Sequence, residues 1–463
     1  MRVLRHLCSA RLAPALGLLA GGIAGITAVV VTGGATAQRA PAVAPAVFEA
    51  THLPPLLSLP GERLELTYDV HCASEGVDDP EQGCNVAGSL FLRTAGSGAF
   101  SELPLMAGVT NGVPRLAAVV PGATASDRDG FEYYAVLDAA DGGRLTIPSG
   151  GAEAPHRVQL LTHAVDVDLG AHAFGSPARP TARVASALWG DGPTEVGLEQ
   201  GRNPTPIGAS SFDVDETGSV VVLDHAHRRL LQWRRGASVP ARVPVSIEGR
   251  LADLSLAGDG SIYILESVAR PGRKPLIRRF DADGRELDVV EAADRTPSQI
   301  RIGPAGPVVL QQPSNQWMPV AVDGAPVGPA GQRRGARSGR PLRGGGEVLV
   351  LRRGNEIRAA LLVNGDVRRS WRVSSETALA EVQLAEPYGQ RLVLVVRMYA
   401  ESSDEFAVLV LDRRGLALKL AIASDDWAET APLGRFRLVG GSLYRLGSNP
   451  TGAYVDRFDL EVR

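Results

Sequence analysis

The sequence predicts an all-β protein in which an N-terminal antiparallel β-sandwich is followed by a six-bladed β-propeller. Short segments that alternate apolar and polar residues run through the chain from Arg63 onwards, each bounded by Gly, Pro, Asp or Asn. From Thr181 these segments recur in units of roughly 40 residues, which is the length of a propeller blade. Hydrophobic residues make up 44% of the 463 positions, enough for two or more cores.

The first 37 residues predict export. They carry a charged start, an apolar run and a small-residue cleavage motif, which are Arg2, Arg5 and Arg11, then Leu12 to Gly34, then Ala35-Thr36-Ala37. An uncleaved signal anchor is the alternative to a signal peptide over 1–37, because about 20 apolar residues can span a bilayer. In both cases we expect a secreted or cell-envelope-associated protein that meets a membrane only through this segment.

Charge and motifs exclude several classes of function. The formal net charge of -3 gives no global field that would attract nucleic acid, so we expect no nucleic-acid partner. The sequence contains no G-x-S-x-G elbow, no P-loop and no H-E-x-x-H motif. Nucleophilic hydrolysis, phosphoryl transfer and zinc-protease chemistry therefore have no support in the sequence.

The region after the export signal predicts a linker and then the sandwich. Residues 38–60 are rich in Pro and Ala, which predicts a linker with little surface to bury. Residues 61–175 contain five alternating segments at the spacing of a small antiparallel sandwich, namely Arg63 to Val70, Ser89 to Arg93, Ala117 to Val120, Glu132 to Leu137 and Arg157 to Leu161.

Cys72 and Cys84 predict a disulfide within the sandwich. They are the cysteines that remain after removal of a signal peptide containing Cys8, and an exported protein folds in an oxidising compartment. In the loop-entropy model, closing such a short loop stabilises the fold by roughly 3 kcal/mol. A metal pair is the weaker alternative, because His71 is the one further ligand type at hand.

Repetition predicts the propeller over residues 181–463. Ser211 to Asp224 and Leu254 to Glu266 both consist of a strand, a polar turn, a strand and an acidic residue. A third strand follows in each unit, at Arg229 to Trp233 and at Leu276 to Phe280, and the second unit adds a fourth. Weaker copies follow at Gln299 to Gln311, at Leu342 to Leu351 with Ile357 to Leu362, at Val382 to Val396 with Phe406 to Leu411, and at Arg435 to Leu446 with Tyr454 to Leu460.

The ends of this region predict how the ring closes. The last unit lacks an outer strand, and Thr181 to Leu188 is an unpaired strand just before the first unit. We expect this N-terminal strand to complete the final blade, which removes open sheet edges that could template aggregation.

Two family resemblances follow from these segments. Trp189 to Gly197, with Pro206 and then Asp224, Arg228 and Arg229 before an apolar strand, resembles NHL repeats, although His227 stands where the family has asparagine. Gly130 to Asp138 resembles the F-strand region of immunoglobulin and fibronectin type III-like modules. The NHL resemblance implies a scaffold that binds proteins or ligands. A related minority of six-bladed propellers are lactonases or similar hydrolases that hold a metal with Glu, Asn and Asp, and no such trio is evident here.

An arginine run is the candidate ligand site. Its guanidinium groups could bind an anionic polymer such as an acidic polysaccharide, and a solvated connector between blades is the alternative. The run comprises Arg333, Arg334, Arg337 and Arg340, with Arg343 following.

Two further motifs are weak metal candidates. His225 and His227 have the spacing of a ligand pair on a strand, but they lie in a predicted turn and lack a third ligand. Asp281 and Asp283, with Asp288, faintly resemble a calcium loop, and a hairpin turn explains them as well. We therefore assign no cofactor, with calcium left as an alternative.

The sequence predicts an exported, non-enzymatic binding or scaffold protein whose propeller surface binds an extracellular protein or a polysaccharide. A metal-dependent hydrolase or lactonase acting in the propeller channel is the alternative. A purely structural envelope module is a third possibility, favoured if apolar side chains fill the channel.

Overall fold

The fold is that of a computed structural model. It describes residues 47–73, 85–140, 142–199, 205–248, 251–267, 273–292, 297–311, 316–320, 337–429 and 434–461. These residues belong to one compact unit that spans residues 45–463. The described part contains no helix long and apolar enough to cross a membrane.

The first ten strands form a β-sandwich. One sheet has the strand order β1-β3-β7-β6, and the other has the order β2-β10-β8-β4-β5 with β9 beside β8. The pairing is antiparallel except between β2 and β10. The strands are β1 (Val47–Thr51), β2 (Leu57–Ser58), β3 (Glu65–Ala73), β4 (Val86–Thr94), β5 (Ser101–Pro104), β6 (Met106–Thr110), β7 (Val113–Val119), β8 (Phe131–Ala139), β9 (Arg144–Ile147) and β10 (His156–Leu160), with a short helix α1 (Gly122–Ala125) before β8.

Alternation along the strands builds the sandwich core. Leu66 and Tyr68 of one sheet face Leu90 and Tyr133 of the other, and all four are fully buried. Because successive side chains of a strand point to opposite faces, each strand contributes every second residue to this core. The five segments predicted from the sequence lie in β3, β4, β7, β8 and β10.

The remaining strands form six sheets in the described part of the chain, each of which is a propeller blade. The strands are β11 (Val165–Asp168), β12 (Ala182–Leu188), β13 (Ser211–Val214), β14 (Val220–Asp224), β15 (Arg229–Trp233), β16 (Ala241–Pro244), β17 (Ala252–Leu256), β18 (Ile262–Glu266), β19 (Leu276–Phe280), β20 (Glu286–Glu291), β21 (Pro297–Gly303), β22 (Gly306–Gln311), β23 (Gln316–Pro319), β24 (Arg340–Pro341), β25 (Glu347–Arg353), β26 (Glu356–Val363), β27 (Asp366–Ser374), β28 (Ala378–Tyr388), β29 (Arg391–Ala400), β30 (Ser403–Asp412), β31 (Gly415–Ala423), β32 (Phe436–Val439), β33 (Ser442–Asn449) and β34 (Gly452–Asp459).

The blades follow the order of the chain. Blade 1 is β13 to β16, blade 2 is β17 to β20, and blade 3 is β21 to β23. Blade 4 is β24 to β27 with β11 outside it, blade 5 is β28 to β31, and blade 6 is β32 to β34 with β12 outside it. The pairing of β12 with β34 confirms the predicted ring closure. The first strands of neighbouring blades contact one another around the ring, except between blades 4 and 5, where the second strand β25 contacts β28; β13 of blade 1 contacts β32 of blade 6.

The sandwich packs against the side of the propeller at blade 4. Leu56, Leu57 and Leu161 share an apolar cluster with Leu349 and Leu362 of that blade. This apolar contact holds the two domains together.

A buried arginine adds polar contacts to the same interface. Arg358 donates to Glu62 Oε1 at 3.1 Å and to the carbonyl of Leu57 at 3.1 Å. Its Nε donates to Glu356 at 2.6 Å. These bonds replace the hydration that the buried guanidinium loses. They also fix the orientation of the sandwich on the blade.

The domain boundaries differ from those predicted. Val47–Thr51 and Leu57–Ser58 are strands of the sandwich, although residues 38–60 are predicted as a linker. Val165–Asp168, predicted within the sandwich, pairs with β27 as the outermost strand of blade 4. All three strands pair with partners that are distant in sequence, so local composition does not reveal them. Cys72 lies at the end of β3, and Cys84 is outside the described residues, so the disulfide stays a prediction.

Two histidines lie inside the sandwich with two tyrosines. His52 Nδ1 is 2.7 Å from the carbonyl of Thr67, and its Nε2 is 2.7 Å from the hydroxyl of Tyr133. His156 is fully buried, and neither of its ring nitrogens has a hydrogen-bond partner in the described part of the chain. Burial lowers the pKa of His52 to about 4 and lowers that of His156 well below the ordinary value.

This pair predicts a protein that loses stability in mild acid. The unfolded chain takes up protons as the pH falls below about 6.5, whereas the folded sandwich keeps both rings neutral. The stability contribution is therefore complete above pH 6.5 and is lost toward pH 4, by about 3 kcal/mol for His52. We expect the melting temperature to fall steadily between pH 7 and pH 4.5.

The variant His156→Phe should weaken this pH dependence, and His163→Ala, at an exposed position, should leave it unchanged. Thermal melts of the three proteins across this pH range check the prediction. Identical pH profiles for the wild type and His156→Phe would contradict it.

Candidate functional site

The inner strands place one charged residue from each blade toward the propeller channel. Three are carboxylates and three are guanidinium groups, so this set of six side chains, which we call the channel ring, has no net charge. They are Asp213, Asp253, Arg301, Arg340, Glu386 and Arg437, on blades 1 to 6 in that order. Strand alternation explains the arrangement, because the flanking residues of these strands are apolar and point into the spaces between blades.

Asp253 is the most buried member of the ring. It has no exposed surface, and its Oδ2 accepts from Arg301 Nη1 at 2.6 Å and from the backbone N–H of Ile300 at 2.9 Å. Its Oδ1 accepts from the hydroxyl of Ser211 at 2.7 Å. Three blades therefore meet at one carboxylate.

Arg437, on the last blade, lies close to two carboxylates of other blades. Its guanidinium lies 3.4 Å from Asp213 and 3.5 Å from Asp253, and it is 3.4 Å from the carbonyl of Leu254. Burial, together with the neighbouring Arg301, lowers the pKa of Arg437. Burial also opposes the charge of Arg301, but the nearby carboxylates, chiefly Asp253 with Asp213 and Glu386, together raise the pKa of that guanidinium.

The third carboxylate is paired in the same way. Arg340 Nη2 lies 2.7 Å from Glu386 and donates to the carbonyl of Ala385 at 2.8 Å. The described residues include no group of three or more His, Cys, Asp or Glu placed to hold a metal ion. A metal in the channel would first have to break an arginine pair, which leaves a buried charge uncompensated.

A second charged cluster lies at the end of the ring where the inner strands begin, which we call the top face. Asp224 Oδ2 accepts from Arg229 Nε at 2.8 Å, and its Oδ1 accepts from the N–H of Gly197 at 3.2 Å. Arg229 also donates to the carbonyls of Gly192 and Glu195 at 2.9 and 2.5 Å. This pair therefore fastens the segment Trp189–Glu199 onto blade 1.

The histidines predicted as a weak metal pair belong to this cluster but have separate partners. His227 lies 2.8 Å from Asp224 and 3.0 Å from Asp191, and these bonds raise its pKa although partial burial opposes the charge. His225 is buried 3.8 Å from Glu199, and burial lowers its pKa. Both residues lie in the turn between β14 and β15, as the sequence predicts.

The arginines predicted as a ligand site are not gathered on one surface in the described part. Arg333 and Arg334 lie outside the described residues. Arg337 pairs with Glu347, and Arg340 belongs to the channel ring.

The turn at Asp281 is a hairpin turn, in which its carboxylate accepts from the N–H groups of Asp283 and Arg285.

Two cavities offer concave surface, and one of them adjoins the channel ring at Arg340. A groove of about 1010 Å³ opens between blades 3, 4 and 5 on the top face. A cleft of about 770 Å³ separates the sandwich from blades 3 and 4. Apolar side chains and polar rim groups line the groove, among them Val348, Val350, Leu379, Gln299, Glu381 and Tyr399.

The channel ring was not predicted from the sequence. Its signal is a charged residue in the middle of the first strand of a repeat, as in Ser211-Phe212-Asp213-Val214 and Ala252-Asp253-Leu254. In isolation each such residue is the ordinary polar member of an alternating strand. The pairing becomes evident only when the closed ring brings the inner strands together.

Comparisons with known proteins add little to the fold. No protein-family model matches the chain, and no curated protein matches it. Virginiamycin B lyase from Staphylococcus aureus is 12% identical with a TM-score of 0.33, over 54% of this chain and 94% of that one. An aldose sugar dehydrogenase from Streptomyces coelicolor in its PQQ-bound form is 13% identical with a TM-score of 0.31, over 61% and 100% of the two chains. YCF48 from Cyanidioschyzon merolae is 11% identical with a TM-score of 0.28, over 56% and 98%.

The top-face cluster generates a prediction. Replacing Asp224 by Asn leaves Arg229 buried without its counter-charge, which should cost about 3 kcal/mol of unfolding free energy. The pKa of His227 should also fall. Urea unfolding and an NMR titration of His227 measure the two effects.

Asp191→Asn is the matched control, because that side chain is fully exposed, and an exposed pair contributes less than about 1 kcal/mol. Equal losses in the two variants would show that the buried pair does not fasten the segment Trp189–Glu199.

Proposed function

We propose that the protein is an exported binding or scaffold protein and that it does not act as an enzyme. One observation carries the proposal. The channel carboxylates Asp213, Asp253 and Glu386 are each paired with arginine, whereas the open concave surface lies beside the channel, in the groove. A groove with apolar walls and a few polar groups has the character of a binding site.

The expected partner is an extracellular protein or a polysaccharide. Export is supported by the arginine-led apolar segment of residues 1–37, with its Ala-Thr-Ala motif. The family assignments of the two domains belong to the same proposal. We propose an NHL-type propeller and an immunoglobulin-like sandwich, stabilised by a Cys72–Cys84 disulfide.

For the NHL-type assignment, the resemblance rests on residues that are structural here. Asp224 and Arg229, which carry part of that resemblance, form the buried pair that fastens the segment Trp189–Glu199. The role of this pair is to stabilise the blade, and it does not by itself indicate a catalysed reaction.

The alternative is a metal-dependent hydrolase or lactonase, which requires a different geometry in the channel. Such a site would need several carboxylates or amides free to converge on one ion. Asp253 instead has each oxygen bonded to a protein donor. The proposal therefore favours binding over hydrolysis.

Metal analysis of residues 38–463, combined with melts in added calcium and in chelator, tests the two functions. We expect no stoichiometric metal, no shift of the melting temperature, and rates of lactone and ester hydrolysis equal to those of buffer. A resident ion at 100 times its Kd would stabilise the fold by about 2.7 kcal/mol, which a melt detects. A metal whose removal lowers the melting temperature and abolishes lactone hydrolysis would contradict the proposal.

A further inference from the structure

The first strand of blade 4 is shorter than its neighbours. β24 has two residues and pairs with Glu347 and Val348 of β25. The rest of β25, Leu349–Arg353, pairs with β26 on its outer side. No strand in the described part of the chain pairs with the inner side of Leu349–Arg353, so blade 4 presents an open edge to the groove.

The path of the chain explains why this edge is open. Just before β24, Arg337 and Trp317 exchange two backbone hydrogen bonds, of 3.0 and 2.8 Å. The chain therefore runs along the last strand of blade 3 and joins blade 4 only at Arg340. At the junction of blades 4 and 5, β25 itself contacts β28.

The hydrogen-bond pattern identifies which backbone groups face the groove. Leu342 N–H donates to the carbonyl of Gly346 at 3.0 Å, which makes these residues a hydrogen-bonded pair. Hydrogen-bonded pairs recur at every second residue of an antiparallel ladder, so Val348, Val350 and Arg352 also direct their N–H and C=O groups inward. β24 covers Val348, which leaves Val350 and Arg352 to face the groove.

The uncovered part of β25 has the length of a short strand. The far wall of the groove is β28, and side chains span the groove at both ends: Arg340 donates to the carbonyl of Ala385, and Arg352 donates to that of Leu379 at 3.2 Å. The open edge of five residues is about 17 Å long at the rise of an antiparallel strand.

Side chains of the lining indicate the chemistry of the occupant. Val350 and Val382 supply apolar walls, to which every second residue of a strand can point. Glu381 accepts from the amide of Gln383, and Glu401 is exposed at the rim. Arg340, Arg352 and Arg397 also line the groove, so its charges are of both signs and the apolar walls select the occupant.

We propose that the groove binds an extended peptide segment of a partner protein by strand addition to the inner side of β25. The peptide completes the first strand of blade 4 and alternates apolar residues toward the walls. Main-chain bonds to Val350 and Arg352 supply affinity, and the walls supply specificity. This inference rests on the proposed binding function and names its ligand class as peptide.

Selection of random dodecapeptides displayed on phage tests the inference, with residues 38–463 as the target, because they contain the whole compact unit. Enriched sequences are then synthesised and their Kd values measured. Val350→Pro removes the inward N–H, and proline is tolerated where an edge-strand N–H has no partner. We expect binding at least tenfold weaker in Val350→Pro and unchanged in Val350→Thr, which keeps the branched shape and the N–H.

Hydrogen exchange on the wild-type protein tests the same point without a variant. Bound peptide should slow exchange of the Val350 and Arg352 amides. The inference is overturned if no peptide is enriched, if the two variants bind alike, or if these amides exchange at the same rate with and without peptide. Each of these failures leaves the binding function intact, since that function fails only if a chelatable metal and hydrolysis are found.

Discussion

Asp253 is a carboxylate with no exposed surface, held by groups from three other blades. A charge in that position is tolerated only while its partners are in place, and removing one partner of a buried pair typically costs 3–5 kcal/mol. The partners reach it because the inner strands β13, β17, β21 and β32 stand side by side around the axis. The pairing of the channel charges therefore depends on the ring that brings these strands together.

Because the channel charges are paired with one another, we expect ligands to bind beside the channel and not to its charged side chains. Paired carboxylates have little capacity left for a ligand, so recognition is expected where the sheets are incomplete. Blade 4 has a first strand of only two residues, and the sandwich packs on one of its faces through Leu349 and Leu362. The sandwich thus supports the blade from outside while the groove stays open inside. The same feature that interrupts the repeat creates the candidate binding site.

Most of the architecture could be predicted from the sequence, because each blade repeats one local pattern of strands and turns. Arg229–Trp233 and Leu276–Phe280 have the predicted bounds, and β12 closes the ring as expected. The turn at His225 was predicted from local chemistry in the same way. Contacts between segments that are distant in sequence could not be predicted from this local pattern. Arg301 and Arg437 are more than 100 positions apart and carry ordinary strand alternation, so nothing local marks them as neighbours around Asp253.

The short strand β24 also escaped prediction, because its two residues, Arg340 and Pro341, lie before Leu342, where the predicted unit begins. The central claim is that the channel charges hold the ring through mutual pairing. A double-mutant cycle of Asp253→Asn and Arg301→Gln, measured by urea unfolding, tests it directly. The double variant should lose less stability than the sum of the single variants by at least about 1 kcal/mol. Additive losses would contradict it, because they would show that the two side chains stabilise the fold independently.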